Sequence, residues 1–155
     1  MGRERQREPV SPITLSVLAL ALAVHTLTDL REGYVYDVAV LVPLVLLAAL
    51  AASTGRLADA CAGALLCGAL PAALTAATRG RGMGIGDAKV AALIGMALGP
   101  VAGILALGCA FVWGAAISLT LVAMHRVRWG ARVAFVPFLA LGSLSIVLAE
   151  RFGPR

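Results

Sequence analysis

The chain has 155 residues, 61% of them hydrophobic and 14% charged, with mean hydropathy +0.95 and net charge +5. A soluble domain of this length would be about half apolar and roughly a quarter charged. These values exclude that class and describe a polytopic, all-α membrane protein of one domain, a transmembrane bundle of about six spans. The arginines are scattered at segment ends and form no basic face. The positive excess therefore serves topology and lipid head groups, and nucleic acid is excluded as a partner.

Residues 1–12 carry Arg3, Arg5 and Arg7 ahead of an apolar run, like the charged region of a signal peptide. No cleavage site stands before Asp29 and further spans follow, so an uncleaved first span is expected. Segment one runs from about Ser11 to Thr28, with Asp29 at its end. Segment two covers about Val35 to Ser53, and segment three about Ala60 to Thr78, joined by the turn Thr54-Gly55-Arg56. Each approaches the roughly 20 residues that cross about 30 Å of hydrocarbon. Helices are required there, because lipid offers no partner to a free backbone group.

The loop Gly82-Met83-Gly84-Ile85-Gly86-Asp87-Ala88-Lys89 follows. Beyond it lies an apolar stretch to Met124, interrupted by Gly99-Pro100. The break predicts two spans, about Asp87–Leu98 and Val101–Met124, with one kinked helix as the weaker alternative. Gly95, Gly99 and Gly103 recur every fourth residue, a spacing that lets membrane helices touch closely. A basic, amphipathic connector, His125 to Arg132, leads to segment six, about Val133 to Ala149. Cys61, Cys67 and Cys109 all lie in apolar segments with no CxxC pair, which argues for small packing residues and against a zinc site.

Asp29 and Asp87 are the residues to explain. A charge at membrane depth costs roughly 2.5–3.5 kcal/mol on insertion scales, so an acid there is usually functional. Two complete spans separate them, so both face one side. Seven Lys and Arg lie on that side against six on the other, and charge alone barely decides the orientation. Two carboxylates brought together cannot both ionise easily, and they titrate as a pair. One can accept a proton from water while the other donates one to a peptide carbonyl, with no metal, cofactor or covalent intermediate. The plainer alternative makes each a helix cap at the interface, a role well suited to Asp87. Gly84 and Gly86 leave the backbone free and let another chain come close. His25, one turn before Asp29, reads first as a packed or interfacial histidine. Glu32 and His125 read as interfacial, and Trp113 and Trp129 as packing and interface residues.

Gly84-Ile85-Gly86-Asp87-Ala88-Lys89, continued by Val90-Ala91-Ala92-Leu93-Ile94-Gly95, resembles the GxGDxKLxAxxG signature of the type IV prepilin peptidases, integral-membrane aspartyl proteases. Asp29-Leu30-Arg31 resembles that family's first catalytic site, and Val136-Pro137-Phe138-Leu139-Ala140-Leu141-Gly142 its stretch in the last span. The resemblance implies catalytic aspartates at Asp29 and Asp87, and a lysine, Lys89, that orients or tunes the loop. An interfacial cation is the alternative for Lys89. It also implies a pilin-like precursor as partner, whose basic leader is cut off after a glycine at the cytoplasmic face of the plasma membrane. Where the family has Ile-Pro-Asn, this chain has Val35-Tyr36-Asp37; Asp37 is then either a third carboxylate near the site or a cap of span two. The cysteine-rich insert of long members is missing, so no methylation is expected, and the chain is similar to the short peptidases of tight-adherence pilus systems. Two rivals stay open: a small ion-coupled carrier using the same acids, disfavoured by the lack of an inverted repeat, and a catalytically silent scaffold of a pilus or secretion apparatus.

Overall fold

The computed structural model describes residues 10–33, 35–80, 83–126 and 134–153. Among these are six helices and no strand: α1 (Pro12–Glu32), α2 (Asp37–Ser53), α3 (Leu57–Ala77), α4 (Ile85–Leu98), α5 (Pro100–Ala123) and α6 (Val136–Phe152). The helices form a bundle. Three of them, α1, α3 and α5, are long and apolar enough to cross a membrane, and α2 is a shorter apolar helix. Large side chains such as Leu20, Val38, Leu65 and Val112 point outward. A water-facing surface rarely carries so much apolar area, whereas hydrocarbon accepts it. The chain is a membrane protein.

Segment ends differ from the sequence expectation for physical reasons. Hydropathy falls at Asp29, but the α1 backbone continues to Glu32. It stops at Gly33, whose left-handed φ of 63° lets its amide bond the Asp29 carbonyl at 3.0 Å. Asp29 therefore sits inside the last turn of α1 and does not end the segment. Without the family's proline, α2 begins at Asp37, two residues later than expected, while Thr54–Arg56 forms the expected tight connection to α3.

Helix α4 is the centre of the bundle. It is apolar on every side, as a fully enclosed helix must be, and it packs against each of the other five. Its 14 residues span only about 21 Å at 1.5 Å per residue, less than the hydrocarbon thickness. At Gly99 the chain reverses: φ is 82° and ψ is 179°, open only to glycine without strain, and Pro100 starts α5. A Cβ on Gly103 would stand 3.1 Å from the Gly95 Cα. A continuous helix would hold those residues about 12 Å apart, so two helices are present and the kinked alternative is discarded.

The glycine triplet divides its labour. Gly95 lies so close to the Gly63 backbone of α3 that neither position has room for a Cβ, and a Cβ on Gly103 would press on Cys67 Sγ at 2.7 Å. Gly99 turns the chain and also packs, since a Cβ on Gly63 would stand 2.7 Å from its carbonyl carbon. Cys67 is the packing residue expected, Cys109 is half-buried, and Cys61 faces outward on α3, contrary to expectation, because it falls on the side of the helix away from α4. The residues of the connector from 127 to 133, with Trp129, lie outside the described residues, as do Gly82 and the N-terminal arginines.

Gly95→Ala should lower the stability of the detergent-solubilised protein by about 1–3 kcal/mol through overpacking. Gly108→Ala, where a Cβ meets open space, should be neutral or stabilising. Denaturation midpoints of the two variants check this; equal midpoints would mean that α3 and α4 are not in backbone contact.

Candidate active site

The bundle alternates direction, so the end of α1 and the starts of α2, α4 and α6 meet at one face. Four of the singled-out residues gather there: Asp29, Asp37, Asp87 and Lys89. Asp87 is the third residue of α4 and is 9% exposed. Its Oδ2 accepts the Gly84 amide at 3.1 Å, and its own amide returns a 3.2 Å bond to the Gly84 carbonyl. The carboxylate thus performs the acidic half of a capping box. It also sits at the positive end of the helix dipole, which offsets part of the cost of burial. The interfacial-cap alternative for Asp87 describes a bond it makes.

Asp29 is half-buried. Its Oδ2 accepts the backbone amide of Val136, the first residue of α6, at 3.2 Å. The two acids stand at the same end of the bundle, Asp29 in the last turn of α1 and Asp87 in the first turn of α4. Each commits one oxygen to a backbone amide, and each amide opens a helix.

The glycine loop is shaped by what it touches. Gly84 is extended, with φ −84° and ψ 151°, and caps α4. Any residue can adopt that backbone, so freedom at positive φ is not its function. Gly86 is needed for space: a Cβ there would meet Val35 Cβ and Cγ2 at 2.9 Å. Val35 is the buried residue that replaces the family's isoleucine, and its contact brings the entry of α2 onto the first turn of α4. Lys89, one turn beyond Gly86, forms an ion pair with Asp37, the first residue of α2. Asp37 is 70% and Lys89 36% exposed at the side chain. Asp37 is not the cap of α2: Tyr36 holds the N-cap position, no side chain caps that helix, and the Asp37 carboxylate pairs with Lys89. Lys89 points along the surface into that pair, and it is not a solitary cation.

His25 is 1% exposed, and its Nδ1 lies 2.6 Å from the Ala21 carbonyl, so Nδ1 carries a proton and the ring is packed, as expected. Glu32 accepts the Tyr36 hydroxyl, which closes the α1–α2 connection. Trp113 donates to Ser145 Oγ at 3.3 Å across α5 and α6. Among the described residues, no three His, Cys, Asp or Glu side chains assemble as a metal site. Sequence reasoning missed the Val136 amide. Its only signal was the resemblance of the stretch it opens, which carried no role.

The chain is thus a helical membrane protein with two carboxylates gathered at one end of its bundle. A profile of the type IV leader peptidase family matches residues 16–119, and the chain belongs to that family. No curated protein and no solved structure matches it.

The Lys89–Asp37 pair is too exposed to add much stability; exposed pairs typically give less than about 1 kcal/mol. A double-mutant cycle with Asp37→Asn and Lys89→Gln should return a coupling free energy of unfolding below that figure. A much larger coupling would mean that the pair is withdrawn from water.

Proposed function

We propose that the chain is one integral-membrane aspartyl endopeptidase domain that removes the basic leader from type IV pilin-like precursors. Asp29 and Asp87 are its catalytic dyad. The observation that carries the reading is their arrival at one end of the bundle, from helices separated by two others, each with one oxygen on a backbone amide that opens a helix. The family supplies the reaction class. In the reaction one carboxylate takes a proton from water as the water oxygen attacks the scissile carbonyl, and the other, protonated, gives its proton to the carbonyl oxygen. The first, now protonated, then gives that proton to the amide nitrogen as the C–N bond breaks, while the second takes back the hydroxyl proton as the acid carbonyl re-forms, which restores the pair. Each acid needs an uncommitted oxygen for this, and among the described residues each engages Oδ2 on a backbone amide.

Gly84, Gly86, Lys89 and Asp37 support the loop. Gly86 admits Val35, and the ion pair of Lys89 with Asp37 ties the first turns of α4 and α2, so Asp87 is presented from a fixed direction. The protein sits in the plasma membrane with this end toward the cytoplasm, where a basic leader is retained and where Asp29, Glu32 and Asp37 offer it negative charge. The count of seven basic residues on this side against six supports that orientation weakly; the family's place of cleavage supports it more.

Asparagine separates capping from catalysis. In Asp87→Asn the side-chain carbonyl can still accept the Gly84 amide, but it cannot carry the proton. Co-expressed with a pilin-like precursor, Asp87→Asn and Asp29→Asn should each slow leader removal by roughly 10²–10⁴-fold while leaving the protein folded. The unaltered enzyme should show a bell-shaped rate profile, rising as the pair loses its first proton and falling as it loses the second. Normal cleavage by either variant would leave that acid as a cap and overturn the dyad; no cleavage by the unaltered protein would make it a silent scaffold.

A further inference from the structure

The stretch Val136 to Gly142 has no part in the reaction as written, yet it touches the dyad. A helix leaves its first amides without partners. In α6 these are largely accounted for. Pro137 has no N–H. Phe138 and Leu139 both donate to the Phe135 carbonyl, at 3.0 and 3.2 Å. The N-cap, Phe135, has no side-chain oxygen to return. The donor that remains in the turn is the Val136 amide, and the group that accepts it is Asp29, at 3.2 Å.

The turn is also immobilised from behind. Phe135 stacks against Phe111 of α5 with ring centroids 5.1 Å apart, and against Phe138 at 6.0 Å. A Cβ on Gly114 of α5 would stand 3.2 Å from the Phe138 ring. Further along, a Cβ on Gly142 would lie 2.6 Å from the Ala110 amide nitrogen and against the Ala106 carbonyl, so α6 rests directly on the α5 backbone. Helix α5 in turn meets α4 at Gly103 and Gly95. A continuous series of close backbone contacts runs from the Asp29 carboxylate through α6 and α5 to the helix that carries Asp87.

Building on the dyad reading, we infer that the first turn of α6 is the positioning element for Asp29: the Val136 amide, singled out by Pro137, fixes where one catalytic carboxylate stands relative to the other. Val136 and Pro137 do not touch substrate. Their effect is to hold Asp29 toward α4 and to give its Oδ2 a donor at the positive end of a helix. A carboxylate left to rotate on the last turn of α1 would lose the geometry that water activation needs.

The test replaces Val136 by its α-hydroxy acid through nonsense suppression, which turns one amide into an ester, removing that N–H and weakening the Phe135 carbonyl as an acceptor, an effect that the control ester shares. The same exchange at Ile146, in mid-helix, controls for a lost backbone bond in α6. With a pilin-like precursor, the Val136 ester should lower kcat at least tenfold with KM within about twofold. The Ile146 ester should keep kcat within about twofold. Equal losses in the two esters, or full activity in the Val136 ester, overturn the inference. A second measurement does not use activity: in 15N-valine-labelled protein in micelles, the Val136 amide proton, assigned by its absence from Val136→Ala, should move upfield in Asp29→Ala. An unmoved signal overturns the inference as well. If the unaltered protein cleaves no precursor, the peptidase reading fails, while the amide signal still decides whether α6 holds Asp29.

Discussion

A carboxylate withdrawn from water must be given hydrogen-bond donors, and in a helical membrane protein the donors available without further buried charge are the free amides at helix starts. Both acids of this protein are served in that way. Asp87 bonds the Gly84 amide that opens its own helix, and Asp29 crosses to the Val136 amide that opens another. The difference between local and remote partner matters. Asp87 is positioned by residues three apart in the chain, so its geometry follows from the loop sequence. Asp29 is positioned only when α1 and α6 have packed. The proposed dyad is therefore a tertiary arrangement that depends on the closed bundle.

That closure depends on α4 reaching the middle of the bundle. Gly63 against Gly95, and Gly103 against Cys67 and Gly95, remove the side chains that would hold the helices apart. The short length of α4 belongs to the same design. A helix of 14 residues that ends in Gly99-Pro100 need not cross the hydrocarbon alone. It can be enclosed by its neighbours, with only its first turn near the interface. The acid in that turn is then shielded by protein on most sides while the loop before it stays close to water, the setting in which a peptide bond and a water can both enter.

The helices were legible because the bilayer leaves no other option for long apolar runs, and the Gly99-Pro100 break was legible because proline and glycine have narrow meanings. The gathering of Asp29 and Asp87 at one end followed from counting spans between them. Hydropathy misplaced the end of α1, since it follows polarity, and Asp29, Arg31 and Glu32 remain helical until Gly33 supplies a left-handed residue. Periodicity grouped Gly95, Gly99 and Gly103, although the middle one turns the chain. The pairings of Lys89 with Asp37 and of Asp29 with Val136 join residues on different helices, and nothing local in either partner announces the other. Segment six was found by its apolar content, and its first amide, a backbone atom, leaves no mark in a string of side chains.

The strengths of these contacts decide what each is for. The Lys89–Asp37 pair is solvent-exposed and contributes little to folding, so its value lies in direction: with Gly86 against Val35, it keeps the first turn of α4 facing α2. The bonds of the two aspartates to backbone amides are less exposed, and they hold oxygens in place at little entropic cost because the donors are backbone. Rigid backbone donors behind each acid, and a loose ionic tie at the surface, make a site whose reacting groups are fixed while its rim can yield. A protease that must admit a second membrane-associated chain beside its dyad needs that division, since a rim as rigid as the core would exclude the substrate, and carboxylates as mobile as the rim would not share a proton.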